Sequence, residues 1–99
     1  MNDQELARAH ELDALYCRFI DDDREIVVTR MTFGKARLCV GDRGAMGFDD
    51  GYCYASPALA LAAALVWSGI GDPLDGWHRH LGSGRRRING NPDQEHVHW

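Results

Sequence analysis

Two histidine pairs near the C-terminus form the sharpest chemical pattern of the sequence. Each pair has the form His-x-His, so both rings of a pair lie on the same side of an extended chain. Two pairs that face each other could supply four imidazole ligands to Zn²⁺ or a similar metal. Structural zinc sites usually include cysteine, so surface or packing roles for these rings stay open. The residues are His78, His80, His96 and His98.

A group of arginines lies in the same segment, three of them in a row after Gly-Ser-Gly. The planar guanidinium donates two parallel hydrogen bonds, which suits phosphate or carboxylate. Three interpretations are open: a nucleic-acid contact with Trp77 stacking on bases, a contact with an acidic patch of a partner protein, or ion pairs with the chain's own carboxylates at Asp21–Asp23. The residues are Arg79, Arg85, Arg86 and Arg87.

The sequence holds no recognisable catalytic arrangement. A cysteine–histidine nucleophile needs spatial proximity that spacing does not provide, and no carboxylate has an acid–base setting. The glycines of GIGDPLDGW lack the Lys-Ser/Thr of a phosphate loop and follow a predicted helix rather than a strand. We therefore expect a protein that is not an enzyme and needs no cofactor, with zinc at the histidine pairs as the alternative.

The charge of the chain is unevenly distributed. The net charge is −4, made up of −6 over residues 1–75 and +2 over residues 76–99. The first part should repel nucleic acid at long range, while the C-terminal part could attract it locally.

The cysteines and the apolar segments bear on the cellular location. Cys17, Cys39 and Cys53 form no CxxC pair, which is typical of a reducing cytosol. The N-terminal residues are polar and acidic, unlike a signal peptide. The longest apolar run, ALALAAALVW, has ten residues, whereas a membrane span needs about 20. We expect a cytoplasmic protein with no membrane partner.

A first helix is predicted from Asp3 to about Tyr16. Leu12, Leu15, Tyr16 and Phe19 follow the i, i+3, i+4, i+7 spacing of a helix face, and the three aspartates after them favour a turn.

Strands are predicted in the middle of the chain. REIVVTRMTF is rich in β-branched residues, and ARLCV follows it after a turn at Gly34-Lys35. AMGF and YCYA flank Asp50-Gly51, a type I′ hairpin signal. The last stretch is therefore one longer strand or two short ones.

A second helix is predicted from Pro57 to about Ser68. Ser56 is a good N-cap, proline fits the first helical position, and Gly69 can adopt the left-handed conformation after the helix. The helix is apolar almost all round, so we expect the sheet to cover one side and the first helix or the C-terminal segment to cover another.

Together these elements predict one α+β domain over residues 1–99, with the order α-β-β-β-α. We expect an antiparallel meander of three strands, or four, with both helices packed on one face. An irregular tail over residues 76–99 would clasp the core. An exposed sheet edge leaves a homodimer open. The expected structural anchors are Trp67, Trp77 and Trp99.

The run from Phe33 to Arg87 resembles small uncharacterised proteins of bacteriophages and prophages. The shared features are a DGYCY strand, an ALAAALVW helix and a tail with GWHRH and GRRR. The resemblance covers about half of the chain. It implies a bacterial cytoplasmic setting and an accessory role such as host takeover or counter-defence, and it assigns no catalytic or binding residue.

We therefore expect a protein-binding module that inhibits or redirects a host or defence complex, as anti-CRISPR proteins do. An acidic, compact body could occupy the nucleic-acid channel of such a target. One alternative is a nucleic-acid-binding module that uses Arg85–Arg87. Another is a small structural domain held by metal at the paired histidines.

Overall fold

Two helices and a four-stranded sheet make up the described part of the chain. The computed structural model describes residues 1–44 and 47–78. The four strands form one antiparallel sheet in the order β1-β2-β3-β4. This confirms the α+β class, and four strands rather than three is the correct alternative. The elements are α1 (Asp3–Glu11), β1 (Tyr16–Phe19), β2 (Arg24–Arg30), a 3₁₀ turn (Thr32–Gly34), β3 (Ala36–Asp42), β4 (Asp50–Tyr54) and α2 (Pro57–Val66).

Helix α1 is shorter than predicted. It begins with a capping box, in which the Asn2 side chain accepts from the Glu5 N–H and the Glu5 carboxylate accepts from the Asn2 N–H, both at 2.8 Å. It ends at Glu11, and Asp13 adopts a left-handed conformation (φ 52°) that a helix cannot contain. The continuation to Tyr16 is therefore wrong: Tyr16 opens β1 and pairs with Val28.

The hairpin between β2 and β3 is closed by the turn predicted at Gly34-Lys35. Asp50-Gly51, in contrast, is not a turn. These residues are the first two of β4, opposite Val40 and Cys39. A side chain at Gly51 would place its Cβ 2.2 Å from the Arg37 Nε, so the Arg37 side chain would have to move aside to admit a larger residue.

Helix α2 begins where the sequence predicted. The Ser56 hydroxyl accepts from the Leu59 N–H at 3.3 Å, and Pro57 occupies the first helical position. The helix ends at Val66, two residues earlier than predicted, because Trp67 is already extended. Gly69 has a φ of +88°, as expected for a left-handed glycine beyond the helix end. Neither described helix is long and apolar enough to cross a membrane.

The two helices lie on opposite faces of the sheet. Ala9 of α1 packs against Cys17 and Val27, which point away from α2. The expectation that both helices share one face is wrong, because the second face also carries apolar side chains and the short turn after α1 folds the helix back over them. The α2 face holds the main core, formed by Ile26, Val28, Ala36, Leu38, Val40, Tyr52, Tyr54, Ala60, Ala63, Ala64, Trp67 and Trp77.

Candidate functional site

Of the eleven binding, metal-ligating and anchor residues predicted from the sequence, three lie in the described part of the chain. Trp67 and Trp77 are buried in the core, and His78 follows directly. Within residues 1–44 and 47–78, no three His, Cys, Asp or Glu side chains gather as a metal site would need. The others lie outside the described residues: Arg79, His80, Arg85, Arg86, Arg87, His96, His98 and Trp99.

Trp77 ties the chain after α2 to the sheet. Tyr52 lies between two indoles, edge-on to Trp67 at 5.4 Å and to Trp77 at 4.8 Å between ring centroids. His78 then exchanges two backbone hydrogen bonds with Cys53, of 2.8 and 2.9 Å. The residues between α2 and His78 therefore return to the outer edge of β4.

A cleft of about 480 Å³ lies on the α1 face of the sheet. Beside it, Arg8 donates to both carboxylate oxygens of the fully buried Glu25, from Nε at 3.0 Å and from Nη2 at 2.9 Å. The hydrogen bond with Glu25 raises the Arg8 pKa. The cleft is lined by Arg8, Glu11, Phe19, Asp22, Asp23, Glu25, Arg43 and Gly44.

The charged groups of this cleft hold the fold together. The Arg43 guanidinium lies 3.6 Å from the Phe19 ring centroid and donates to the Asp22 carbonyl at 3.1 Å. The Cys17 thiol lies 3.9 Å from Glu25, and burial raises its pKa to about 12. This thiol is therefore protonated at neutral pH and is a poor nucleophile. In this structure these side chains connect α1, β1 and β2 to one another and to the turn after β3.

A separate feature, which sequence reasoning missed, is the exposed aromatic ring of Phe33 at the tip of the β2–β3 hairpin. Phe33 is 89% exposed and has a left-handed backbone (φ 60°, ψ 33°). Gly34 follows with a φ of +73°. A left-handed conformation costs a bulky residue about 1–2 kcal/mol, and an exposed ring recovers none of this by burial. The sequence placed Phe33 in a strand, and no local signal distinguishes it.

The charge around this tip differs from the charge at the far end of the sheet. No acidic residue occurs from Ile26 to Gly41, a stretch that contains Arg30, Lys35 and Arg37. Arg30 pairs with Ala36 at the Phe33 end, and Arg24 pairs with Asp42 at the far end. The hairpin end is therefore basic. The far end is acidic and carries Asp21, Asp22, Asp23, Asp42, Asp49 and Asp50.

The outward face of α2 is a second exposed surface. Leu59, Leu65 and Val66 are 51%, 62% and 72% exposed, and Ala58 and Ala62 are exposed beside them. The helix contains no charged residue. The expectation that α1 covers α2 is wrong, because α1 lies across the sheet from it. The alternative cover, the C-terminal segment, lies outside the described residues from position 79 onward.

Comparison with known proteins adds nothing to this geometry: no protein-family model, curated protein or solved structure matches the chain. The resemblance to phage and prophage proteins stays a prediction.

Proposed function

We propose that this protein is a non-catalytic binding module that acts on another protein and presents the Phe33 hairpin to it. The accessory role in host takeover or counter-defence follows from the resemblance drawn from the sequence. The observation that carries the proposal is the exposed, left-handed Phe33.

The energetics of Phe33 favour a role in recognition over a role in folding. A phenylalanine that contributes to stability would bury its ring or adopt a relaxed backbone, and Phe33 does neither. Aromatic rings that insert into a partner's pocket are typical energetic centres of protein interfaces. The backbone hydrogen bond from Met31 N–H to the Lys35 carbonyl, at 2.9 Å, closes the turn and limits the positions of the ring.

The charges near the tip specify the partner. Arg30 is exposed beside a turn that has no carboxylate of its own, so the fitting surface is an apolar pocket with an acidic rim. A protein surface fits better than nucleic acid, because the six aspartates of the far end and the net charge of −4 would repel phosphate.

The test is Phe33→Asn, because asparagine tolerates the left-handed conformation. We expect the free energy of unfolding to stay unchanged or rise by up to about 1 kcal/mol, while partner binding is lost. The immobilised wild type, Phe33→Asn and the control Ile70→Asn are each exposed to nuclease-treated bacterial lysate. Ile70 is a matched control because it is 84% exposed and lies outside the hairpin.

A protein retained by the wild type and the control, and lost from Phe33→Asn, is then purified and titrated directly. Equal retention by all three chains, or no retention by any, would overturn the proposal. Binding of a single-stranded oligonucleotide that weakens steeply between about 50 and 200 mM salt would favour the nucleic-acid alternative instead.

A further inference from the structure

The outward face of α2 fits a second copy of the same helix. We propose that two copies of this protein associate through α2, antiparallel, about a two-fold axis at Ala62. The face consists of Ala58, Leu59, Ala62, Leu65 and Val66.

The five residues are spaced symmetrically about Ala62, so the face has the same spacing in both directions along the helix. An antiparallel two-fold at Ala62 places Ala58 opposite Val66 of the second copy, and Leu59 opposite Leu65. Every residue of the face meets another residue of the same face, as an isologous interface requires. The small Ala58 meets a larger side chain, and two alanines meet at the axis. Small residues at the crossing point let the helix axes approach to about 9–10 Å.

Charge selects this face over the rest of the surface. The chain carries a net charge of −4, so two copies repel each other in most orientations. Helix α2 itself has no charged residue, and the charged group that contacts it, the Arg18 guanidinium, donates to the Leu65 carbonyl at 3.4 Å at its C-terminal end.

The sheet edges, which the sequence left open as a route to a dimer, are occupied at several points. On the β1 edge, the Phe19 N–H donates to the Glu5 carboxylate at 2.8 Å, and the Cys17 N–H donates to the Met1 Sδ at 3.2 Å. On the β4 edge, Cys53 pairs with His78. These contacts disfavour strand-to-strand association there and leave the helix face as the better route.

The size of the face predicts a weak dimer. Ten residues of helix extend about 15 Å, and five side chains bury less than the roughly 800 Å² per partner of a standard interface. We expect association that depends on concentration and becomes visible between about 10 μM and 1 mM. Phe33 is not part of this face, so the dimer and the proposed function can fail independently.

Cysteine cross-linking tests the two-fold directly. In Ala62→Cys the two thiols meet at the axis, within the 4.4–6.8 Å between Cα atoms that a disulfide accepts. In Ala58→Cys, the matched control one turn away, each thiol faces Val66. Diamide accepts two protons and two electrons as the S–S bond forms. The native thiols give little background, because all three are buried and burial raises the pKa of Cys17 to about 12 and of Cys39 to about 11.

We expect Ala62→Cys to form a covalent dimer at least about ten times faster than Ala58→Cys. Equal rates, or a faster Ala58→Cys, would overturn the proposed axis. Sedimentation of the wild type provides a second readout: its mass should rise with concentration, and Leu65→Glu should hold it at the monomer mass. A wild type that stays monomeric up to about 1 mM would overturn the dimer itself.

Discussion

On the α2 face of the sheet, aliphatic and aromatic side chains fill the space between helix and strands. On the α1 face, the buried side chains include Glu25, which is held by two hydrogen bonds from Arg8. Glu5 of the same helix reaches the backbone of β1. One helix is fixed by packing and the other mainly by directed polar contacts, so the two halves should respond differently to substitution and to pH.

This difference between the two faces explains why the α1 face needs polar contacts. Helix α1 has nine residues and buries only Glu5 and Ala9, which is too little apolar surface to hold a helix by itself. Helix α2 inserts three alanines into the main core and is joined there by Trp67 and Trp77. Packing dominates where apolar area is available, and hydrogen bonds to charged groups dominate where it is not.

Loss of packing on the α2 face should have the largest effect. Trp77→Ala should lower the free energy of unfolding by about 3–5 kcal/mol, since the ring is fully buried against Tyr52. Urea denaturation measures this loss. Leu74→Ala is the control, because Leu74 is 57% exposed and should change stability by less than about 0.5 kcal/mol. Similar values for both variants would mean that Trp77 does not hold this segment to the core.

Breaking the polar contact of the α1 face should have a comparable or slightly smaller effect. Arg8→Met leaves the Glu25 carboxylate buried without its partner and should cost about 3 kcal/mol at pH 7. Arg8→Met combined with Glu25→Leu should recover most of that loss, because both charges are then absent.

The control for this pair is Arg24→Met, on the neighbouring β2 residue. Arg24 binds Asp42 and Asp49, which are both more than half exposed, so its loss should cost less than about 1 kcal/mol. If Arg8→Met lowered the free energy of unfolding by no more than Arg24→Met does, the α1 face would not depend on its buried ion pair.

The smallest expected effect concerns Glu5 and depends on pH. Hydrogen bonds from the backbone of Asn2 and Phe19 hold the Glu5 pKa below its ordinary value of 4.5. The folded state therefore binds a proton less readily than the unfolded state. The stabilisation is complete above about pH 4.5 and is lost as pH falls through the lower folded pKa.

Glu5→Gln should cost about 1–2 kcal/mol at pH 7, because the amide N–H₂ replaces one of the two acceptors. The difference from the wild type should shrink as pH falls below about 4. Glu11→Gln, an exposed carboxylate of the same helix, should change stability by less than about 0.5 kcal/mol. If the loss of stability caused by Glu5→Gln were the same at every pH, the two backbone hydrogen bonds to the carboxylate would not be its cause.

Local signals explain which elements could be predicted. Ser56-Pro57 is a helix start that depends only on its own neighbourhood, so the start of α2 is predicted correctly. Strand β1 has only four residues, and the apolar residues from Leu12 to Phe19 do follow the spacing of a helix face, although the second half of this stretch is a strand. Pairing with β2, a contact distant in sequence, decides the outcome against the helix.

The candidate surfaces were harder to predict for the same reason. Asp50-Gly51 has the local pattern of a turn, whereas Gly51 lies in β4 with the Arg37 side chain of the neighbouring strand over it. The exposure of Phe33 depends on β2 ending at Arg30, which follows from the register with β3. Neither fact can be read from the local sequence.

The hydrogen bond between Glu5 and Phe19 links the folding of a helix to the solubility of the chain. While α1 is in place, its carboxylate occupies an N–H group that could otherwise receive a strand from another molecule. Acid that protonates Glu5 should weaken the contact between α1 and β1, and the β1 edge of the sheet should become exposed as a result. Local opening of nine residues at the N-terminus would then be the first step toward aggregation, well before the tryptophan-rich core is disturbed.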